Sequence, residues 1–343
     1  MPKVPQAVIS AQYQLRATFF ANSLETQRYI GLFEFVSDNL ATIEPSLNWS
    51  NSSEFGVGSD VKSQLEAQGL SLSQHLCHPN VLISNSRYLT YYRCIAAFSQ
   101  KGLKALSGVS SVDRIESGKS ECTLKQASKL ANAINENLTA IYSVALPESE
   151  KLKGIMYATA GTSIDGSWRN QIGSEGERVV RTLFLKELLS HSEITKVTFR
   201  TGAEVLAADI TDKWLDDHTP DLQSIMTING AVILFGSEPD ITLVSPDAKT
   251  VGGVEIKAGI DPAGALERLG AMMKSFESIR SESSEAETIL VASCITEEVD
   301  QRLRSMKGIR TFIMTDVIQN HKSQGTRLMN VMRACIGLTK AYQ

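Results

Sequence analysis

Three residues in one short stretch have the types and spacing of hydrolytic chemistry. In SEPDITLVSPDAKTVGGVEIKAG, residues 237–259, Asp240 opens one apolar run, and Glu255 and Lys257 interrupt the next. Desolvating an unpaired carboxylate or ammonium costs on the order of several kcal/mol. Charges in strand-like segments are therefore either exposed or held together for a purpose. Residues two apart share one face of a strand, so Glu255 and Lys257 project together while Val254, Ile256 and Ala258 face a core. The linking SPDAKTVG has the Pro, Asp and Gly of a turn. The reading is a β-hairpin that sets Asp240 beside the other two. Two carboxylates converging at a sheet end suit Mg²⁺, which prefers carboxylate, water and phosphate oxygens. A neighbouring lysine stabilises negative charge or orients an attacking water. Together these are the parts for metal-assisted phosphodiester hydrolysis. A second pair, ending at Asp221 in HTPD, competes with Asp240, but it lies further from Glu255 and its flanks, LDDHTPDLQ, fit the hairpin less well.

Pro239-Asp240, followed fifteen residues on by Glu255-Ile256-Lys257, resembles the PD-(D/E)XK nuclease signature. The resemblance implies Asp240 and Glu255 as Mg²⁺ ligands, with Lys257 next to the attacking water. Upstream, Gly173-Ser174-Glu175-Gly176-Glu177 is expected to open a helix, and in that family such a helix often adds a further metal-site acid. Glu177 matches best and Glu175 is the alternative. Downstream, Asp261-Pro262 is a favourable helix start. The helix it opens carries Glu267, Arg268 and Lys274, and by resemblance it flanks the active site and the DNA backbone.

The elements around this hairpin read as α/β. Residues 173–190 form a helix with Val180, Leu183, Phe184 and Leu188 along one face. Apolar strands are expected at KVTFR, AVILFG, DITLV, GVEIK, TILVASCI and RTFIMT, with helices at DPAGALERLGAMMKSFESIR and near RLMNVMRACIGL. Strands with interleaved helices imply a sheet of mixed direction. The fold class is thus α/β, a restriction-endonuclease-like mixed sheet flanked by helices, with an N-terminal all-α region. Three regions are expected: 1–85, an N-terminal helical region; 86–148, a DNA-binding domain; and 149–343, the nuclease domain. The first begins with a helix from Ala7 to Leu40, and NWSNSSEFGVGSD follows as a polar loop.

Charge singles out the second region. The chain carries a net charge of −4, yet between Ser86 and Ala131 eight Lys or Arg face three acids, at 113, 116 and 121. Within it, Leu103, Leu106, Val109, Ile115, Leu124, Ala127, Leu130 and Ile134 recur at core-like spacing, and Gly108 stands where two short helices need a tight turn. FSQKGLKALSGVSSVDRIESGKS resembles the phage-repressor (Xre-like) helix-turn-helix over about 45 residues of chain. In that motif the N-terminal residues of a recognition helix touch base edges. Here that implies Ser110, Ser111, Asp113 and Arg114, with Lys119 as a further DNA contact. SSVD lacks the Asn, Gln and Arg that read bases best, so a phosphate clamp or scaffold is the expected role.

Together these features resemble a Type II restriction endonuclease, of the ApaLI or XcyI sort. The resemblance implies a homodimer cutting double-stranded DNA at a short palindrome with Mg²⁺, in functional pairing with a cognate DNA methyltransferase. Two rivals are a transcriptional regulator with a non-catalytic C-terminal domain and a structure-directed DNA repair nuclease. Composition agrees with an ordinary globular chain: 42% hydrophobic and 21% charged over 343 residues. No apolar run approaches membrane-spanning length and the N-terminus has no signal-peptide core. Five scattered cysteines fit reduced thiols, so a cytoplasmic location is expected. His75, Cys77 and His78 lack the second cluster that structural zinc requires.

Overall fold

The computed structural model describes residues 6–25, 29–144, 148–261, 265–306, 308–319 and 324–339. They divide into two compact units, one over Tyr13–Trp168, the other over Arg169–Gln343 with the start of the chain up to Gln12. No helix among the described residues is long and apolar enough to cross a membrane.

The first unit is helical. The single helix expected from Ala7 to Leu40 is instead two, Gln6–Glu25 and Leu32–Ile43, and Gly31 before the second stands at φ 69, outside helical space. NWSNSSEFGVGSD is anchored as well as polar: Ser52–Phe55 forms a 3₁₀ turn, and Phe55 and Val57 are buried. Four helices follow the short ones in this unit: α1 (Arg87–Ile95), α2 (Gln100–Ser107), α3 (Val112–Glu116) and α4 (Leu124–Val144). Ser99 caps α2, accepting from the Gly102 N–H at 3.0 Å. Gly108 ends it in the left-handed conformation, φ 67, which an L side chain would resist. Leu103, Val109, Ile115, Ala127, Leu130 and Ile134 are buried as expected, whereas Leu106 and Leu124 are exposed. Leu103 and Ser107 define the inward face of α2, so Leu106 rotates off it; Leu124 is the first residue of α4, where little packs over it.

The sequence residues His75, Cys77 and His78 are spent on this unit's structure. His75 Nδ1 and His78 Nε2 meet the backbone carbonyls of Ser71 and Asn48, at 2.9 and 3.2 Å, and Cys77 is a buried thiol.

One helix, α5 (Ser149–Ser190), is 42 residues long. It was expected to open at Gly173, but Gly173 and Gly176 lie inside it. The second unit is built on an eight-stranded sheet: β1 (Ile194–Phe199), β2 (Glu204–Leu206), β3 (Leu222–Thr227), β4 (Val232–Phe235), β5 (Ile241–Val244), β6 (Thr250–Lys257), β7 (Glu287–Ala292) and β8 (Ile309–Ile313). Their order is β2-β1-β3-β4-β5-β6-β7-β8. Pairing is antiparallel from β2 to β6 and parallel from β6 to β8. Parallel neighbours need a crossover; α6 (Ala265–Glu282) and α7 (Glu297–Ser305) supply the two. Pro262, expected in the first turn of α6, and the Arg268 side chain lie outside the described residues.

Both faces of β6 and β7 are covered. Val180, Phe184 and Leu188 of α5, with Leu328 and Met332 of α8 (Thr326–Cys335), bury one face against Val254, Ile256 and Val291. On the other, Leu269, Met272 and Phe276 of α6 cover Leu290 and Ala292. Buried ion pairs lock elements in each unit. Arg333 of α8 binds Glu193 through two nitrogens at 2.9 and 2.6 Å. In the helical unit the Arg93 Nε donates to Glu116 at 2.5 Å, and Gln100 donates to the other oxygen of the same carboxylate.

Candidate active site

The expected hairpin is β5–β6. Ile241 pairs with Val254 and Thr242 with Gly253, so the register continued by one residue sets Asp240 opposite Glu255. Ser245 closes the turn, its N–H donating to the Lys249 carbonyl at 2.9 Å. Val254, Ile256 and Ala258 enter the core, leaving Glu255 and Lys257 on the opposite face beside Asp240.

Because α6 covers that face, the two carboxylates are not solvated: Asp240 is 3% exposed and Glu255 2%. The Asp240 Oδ2 accepts the Ile256 N–H at 2.6 Å. The Lys257 Nζ stands 2.5 Å from Glu255 Oε2 and 3.9 Å from Asp240 Oδ2, bridging the pair. One ammonium does not neutralise two buried carboxylates. Burial pushes the Asp240 carboxyl up to about 7; Lys257 and the Ile256 N–H oppose that rise, and Glu255 and Glu177 add to it. Burial works against charging Lys257, but Asp240, Glu255 and Glu177 together hold it above the ordinary lysine value. The Glu255 Oε1 is buried and has no hydrogen-bond partner among the described residues. An acceptor left unpaired in a dry site is costly, and here it points to a ligand the protein does not itself supply.

Glu177 reaches the cluster from α5, made close by Gly176. A Cβ on Gly176 would stand 2.3 Å from the Ala258 Cβ, so only glycine lets the helix pack against the end of β6. Glu175 lies on the outer side, exposed and held by Arg178 at 2.6 Å. Asp221 lies before β3, two strands from β5, and does not join the group. Sequence reasoning overlooked Arg181. It is 4% exposed, and its Nη2 donates to Glu177 Oε2 at 3.0 Å and to the Gly236 and Asp240 carbonyls at 2.9 Å each. The available signal was an arginine four residues after a candidate acid, inside the apolar run VVRTLF. An apolar cleft lined by Ala265, Leu269, Met272 and Leu290 opens beside Lys257.

The model of the XcyI restriction endonuclease family matches residues 58–339. The chain belongs to that family. It is therefore a Type II restriction endonuclease, a site-specific deoxyribonuclease that hydrolyses double-stranded DNA. The eight-stranded sheet flanked by helices fits a restriction-endonuclease-like fold. No curated protein gives a match. In this XcyI-family enzyme the residues read as DNA contacts lie around α3. Ser110, Asp113, Arg114 and Lys119 are exposed. Ser111, half-buried, precedes the helix and accepts from the Gln126 side chain at 3.3 Å, while Asp113 pairs with Lys104 at 2.6 Å. Arg114 and Lys119 make no ion pair among the described residues.

Proposed function

We propose that this XcyI-family enzyme cuts DNA at a PD-(D/E)XK centre made of Asp240, Glu255 and Lys257, with Glu177 as accessory acid and Mg²⁺ as cofactor. The observation that carries the reading is the buried Glu255 Oε1, unpartnered among the described residues, next to the Asp240 carboxyl. The donor set fits the metal: Mg²⁺ binds through one or two carboxylates and keeps several waters and substrate phosphate oxygens. Among the described residues no three of His, Cys, Asp and Glu form a ready cage; Asp240 and Glu255 would hold the ion by their carboxylates. When bound, it would supply Lewis acidity toward the scissile phosphate and lower the pKa of an attacking water.

The chain's own groups then have separate tasks. Asp240 and Glu255 gather negative charge that Lys257 offsets only in part and that a bound cation would relieve further. Lys257, tethered to both, is aimed at the oxygen-bearing side of the pair and holds a proton that stabilises charge developing on the phosphate. The cleft beside it is lined by apolar side chains, whose low local polarity strengthens that interaction. Glu177 sits at the rim, close enough to add negative potential.

The wider reading keeps the helical unit as the DNA-holding part. Residues 86–148 form a helix-turn-helix DNA-binding domain in which Ser110, Ser111, Asp113, Arg114 and Lys119 face the duplex. Residues 1–85 are an N-terminal helical region and 149–343 the nuclease domain. The enzyme works as a homodimer on a palindrome, because a two-fold protein matches a two-fold site, in pairing with a cognate methyltransferase. What favours this over a phosphate-independent role is the basic segment on an acidic chain.

Incubation with plasmid and with branched DNA tests it. Discrete plasmid fragments in Mg²⁺, none in EDTA, and binding without cutting in Ca²⁺ are expected. Asp240→Ala, Glu255→Ala and Lys257→Ala should each abolish cutting and retain specific binding. Undiminished cleavage in EDTA sinks the metal reading, and an inactive Asp221→Ala beside a normal Asp240→Ala sinks the residue choice. Cleavage confined to branched DNA would make it a structure-directed nuclease.

A further inference from the structure

We propose that Arg181 is a positioning residue of the cleavage reaction, one guanidinium nitrogen fixing where the Asp240 and Glu177 carboxylates stand; the proposal rests on the active-site reading above. Three facts carry it. First, the residue is costly where it is. Its side chain is 5% exposed, its Nε is buried without a hydrogen-bond partner among the described residues, and a buried cation is seldom the stabilising choice for a packing position. The adjoining α5 positions Val180, Phe184 and Leu188 are filled by apolar side chains.

Second, its acceptors are not scattered. The carbonyls of Gly236 and Asp240 are the two ends of the β4–β5 loop, and the Gly236 N–H also meets the Asp240 carbonyl at 3.3 Å. Arg181 closes that loop from the helix side and lies over the Phe235 ring, 5.2 Å from its centre. Asp240 is thereby held at two points, its carbonyl by Arg181 and its carboxylate by the Ile256 N–H. Third, the same nitrogen takes Glu177 Oε2. The accessory acid and the hairpin acid come from elements far apart in sequence, and this nitrogen is bonded to both residues. Lysine keeps the charge but not the rigid guanidinium plane that sets where this nitrogen stands.

The test is Arg181→Lys in the full chain. A misplacement of about 1 Å at a reacting group costs on the order of 100-fold, so kcat for plasmid cleavage in Mg²⁺ should fall by about that factor. KM and the affinity for cognate DNA in Ca²⁺ should stay near wild type, because the DNA surface is not altered, and the urea midpoint should fall far less than kcat, because the buried charge is kept. Calorimetric titration of the DNA-free protein with Ca²⁺ alone should show weakened binding, a readout independent of turnover. The double variant with Glu177→Gln should lose less than the product of the single losses, since both act on one constellation. If Arg181→Lys does not fold, Arg181→Gln, which removes the buried charge and keeps a donor, is held to the same criteria. Unchanged kcat and unchanged Ca²⁺ binding overturn the proposal. So does a loss of DNA affinity and urea midpoint in step with kcat, which makes Arg181 a packing residue. Asp240→Asn separates the two levels: if it is inactive while Arg181→Lys cuts normally, only the positioning role falls. If Asp240→Asn cuts normally, the active-site reading falls and this proposal with it.

Discussion

Replacing Asp240 by Asn should abolish cleavage and yet stabilise the metal-free protein above neutral pH. The Asp240 carboxyl is pushed from the usual 3.8 up to about 7, mainly by burial. The charged groups that face it are Glu255, Glu177, Lys257 and Arg181. Between those two pH values the folded protein keeps a proton that the unfolded chain has lost. Stability from this group is therefore complete below pH 3.8, declines as pH rises, and is gone above about 7. At about 1.4 kcal/mol per pH unit the full window is worth on the order of 4 kcal/mol, and the part above pH ~5.5 about 2 kcal/mol. Asparagine carries no charge, and its oxygen still accepts the Ile256 N–H. Urea unfolding in EDTA at pH ~5.5 and ~8.5 measures the difference. Wild type should lose about 2 kcal/mol more than Asp240→Asn between the two conditions. Burial holds His75 and His78 below the ordinary imidazole value; they contribute with the opposite sign, and equally in both proteins, so they cancel in the comparison. Mg²⁺ at the higher pH should then stabilise wild type more than the variant. Parallel pH profiles would refute the claim that Asp240 is ionised at a cost.

Four further outcomes are expected. Glu177→Ala should slow plasmid cleavage clearly, while Glu175→Ala, which loses only an exposed pair with Arg178, should cut at nearly the wild-type rate. Gly176→Ala should lower both stability, by about 1–3 kcal/mol, and cleavage; Ala258→Gly, which removes the opposing Cβ 2.3 Å away, should restore part of each in the double variant. Arg93→Ala should destabilise the helical unit by about 3–5 kcal/mol in urea unfolding, because it removes the cation paired with the buried Glu116 carboxylate. Arg114→Ala should flatten the slope of log K against log salt for DNA binding by about one; an unchanged slope with altered site preference would make α3 a reader of bases.

Local signals made part of this molecule legible. The β5–β6 hairpin announces itself by period-two alternation around SPDAKTVG, and the helix periodicity of residues 180–188 shows which side of α5 is buried. Other elements lack a local mark. β3, LQSIMT, mixes Gln, Ser and Thr with its apolar residues, and β2 has three residues; both exist because neighbouring strands offer them a ladder. The Gly-rich stretch around Gly173 looked like a helix start for a sound reason, since glycine disfavours a helix interior. Packing overrode it, because Gly176 is what allows α5 to touch Ala258. Leu106 and Leu124 fit a core periodicity and are exposed for the converse reason: they lie off the faces that pack, and among the described residues they stay uncovered.

The site divides along the same line. Asp240, Glu255 and Lys257 lie within eighteen consecutive residues, and a hairpin needs only its turn to bring them together. Arg181 and Glu177 lie about sixty residues earlier, on a helix whose register against the sheet no short pattern records. What the sequence does preserve is a conflict. An arginine in VVRTLF, and a glutamate and lysine in GVEIK, are poor choices for packing alone. In the folded protein these misfits meet at one place, and there one buried carboxylate oxygen lacks a partner among the described residues. A core selected for stability would satisfy or remove that oxygen. Its retention follows if the group that completes it arrives with the reaction; the neighbouring Asp240 is likewise ionised against burial, so Asp240→Asn is expected to separate stability from cleavage.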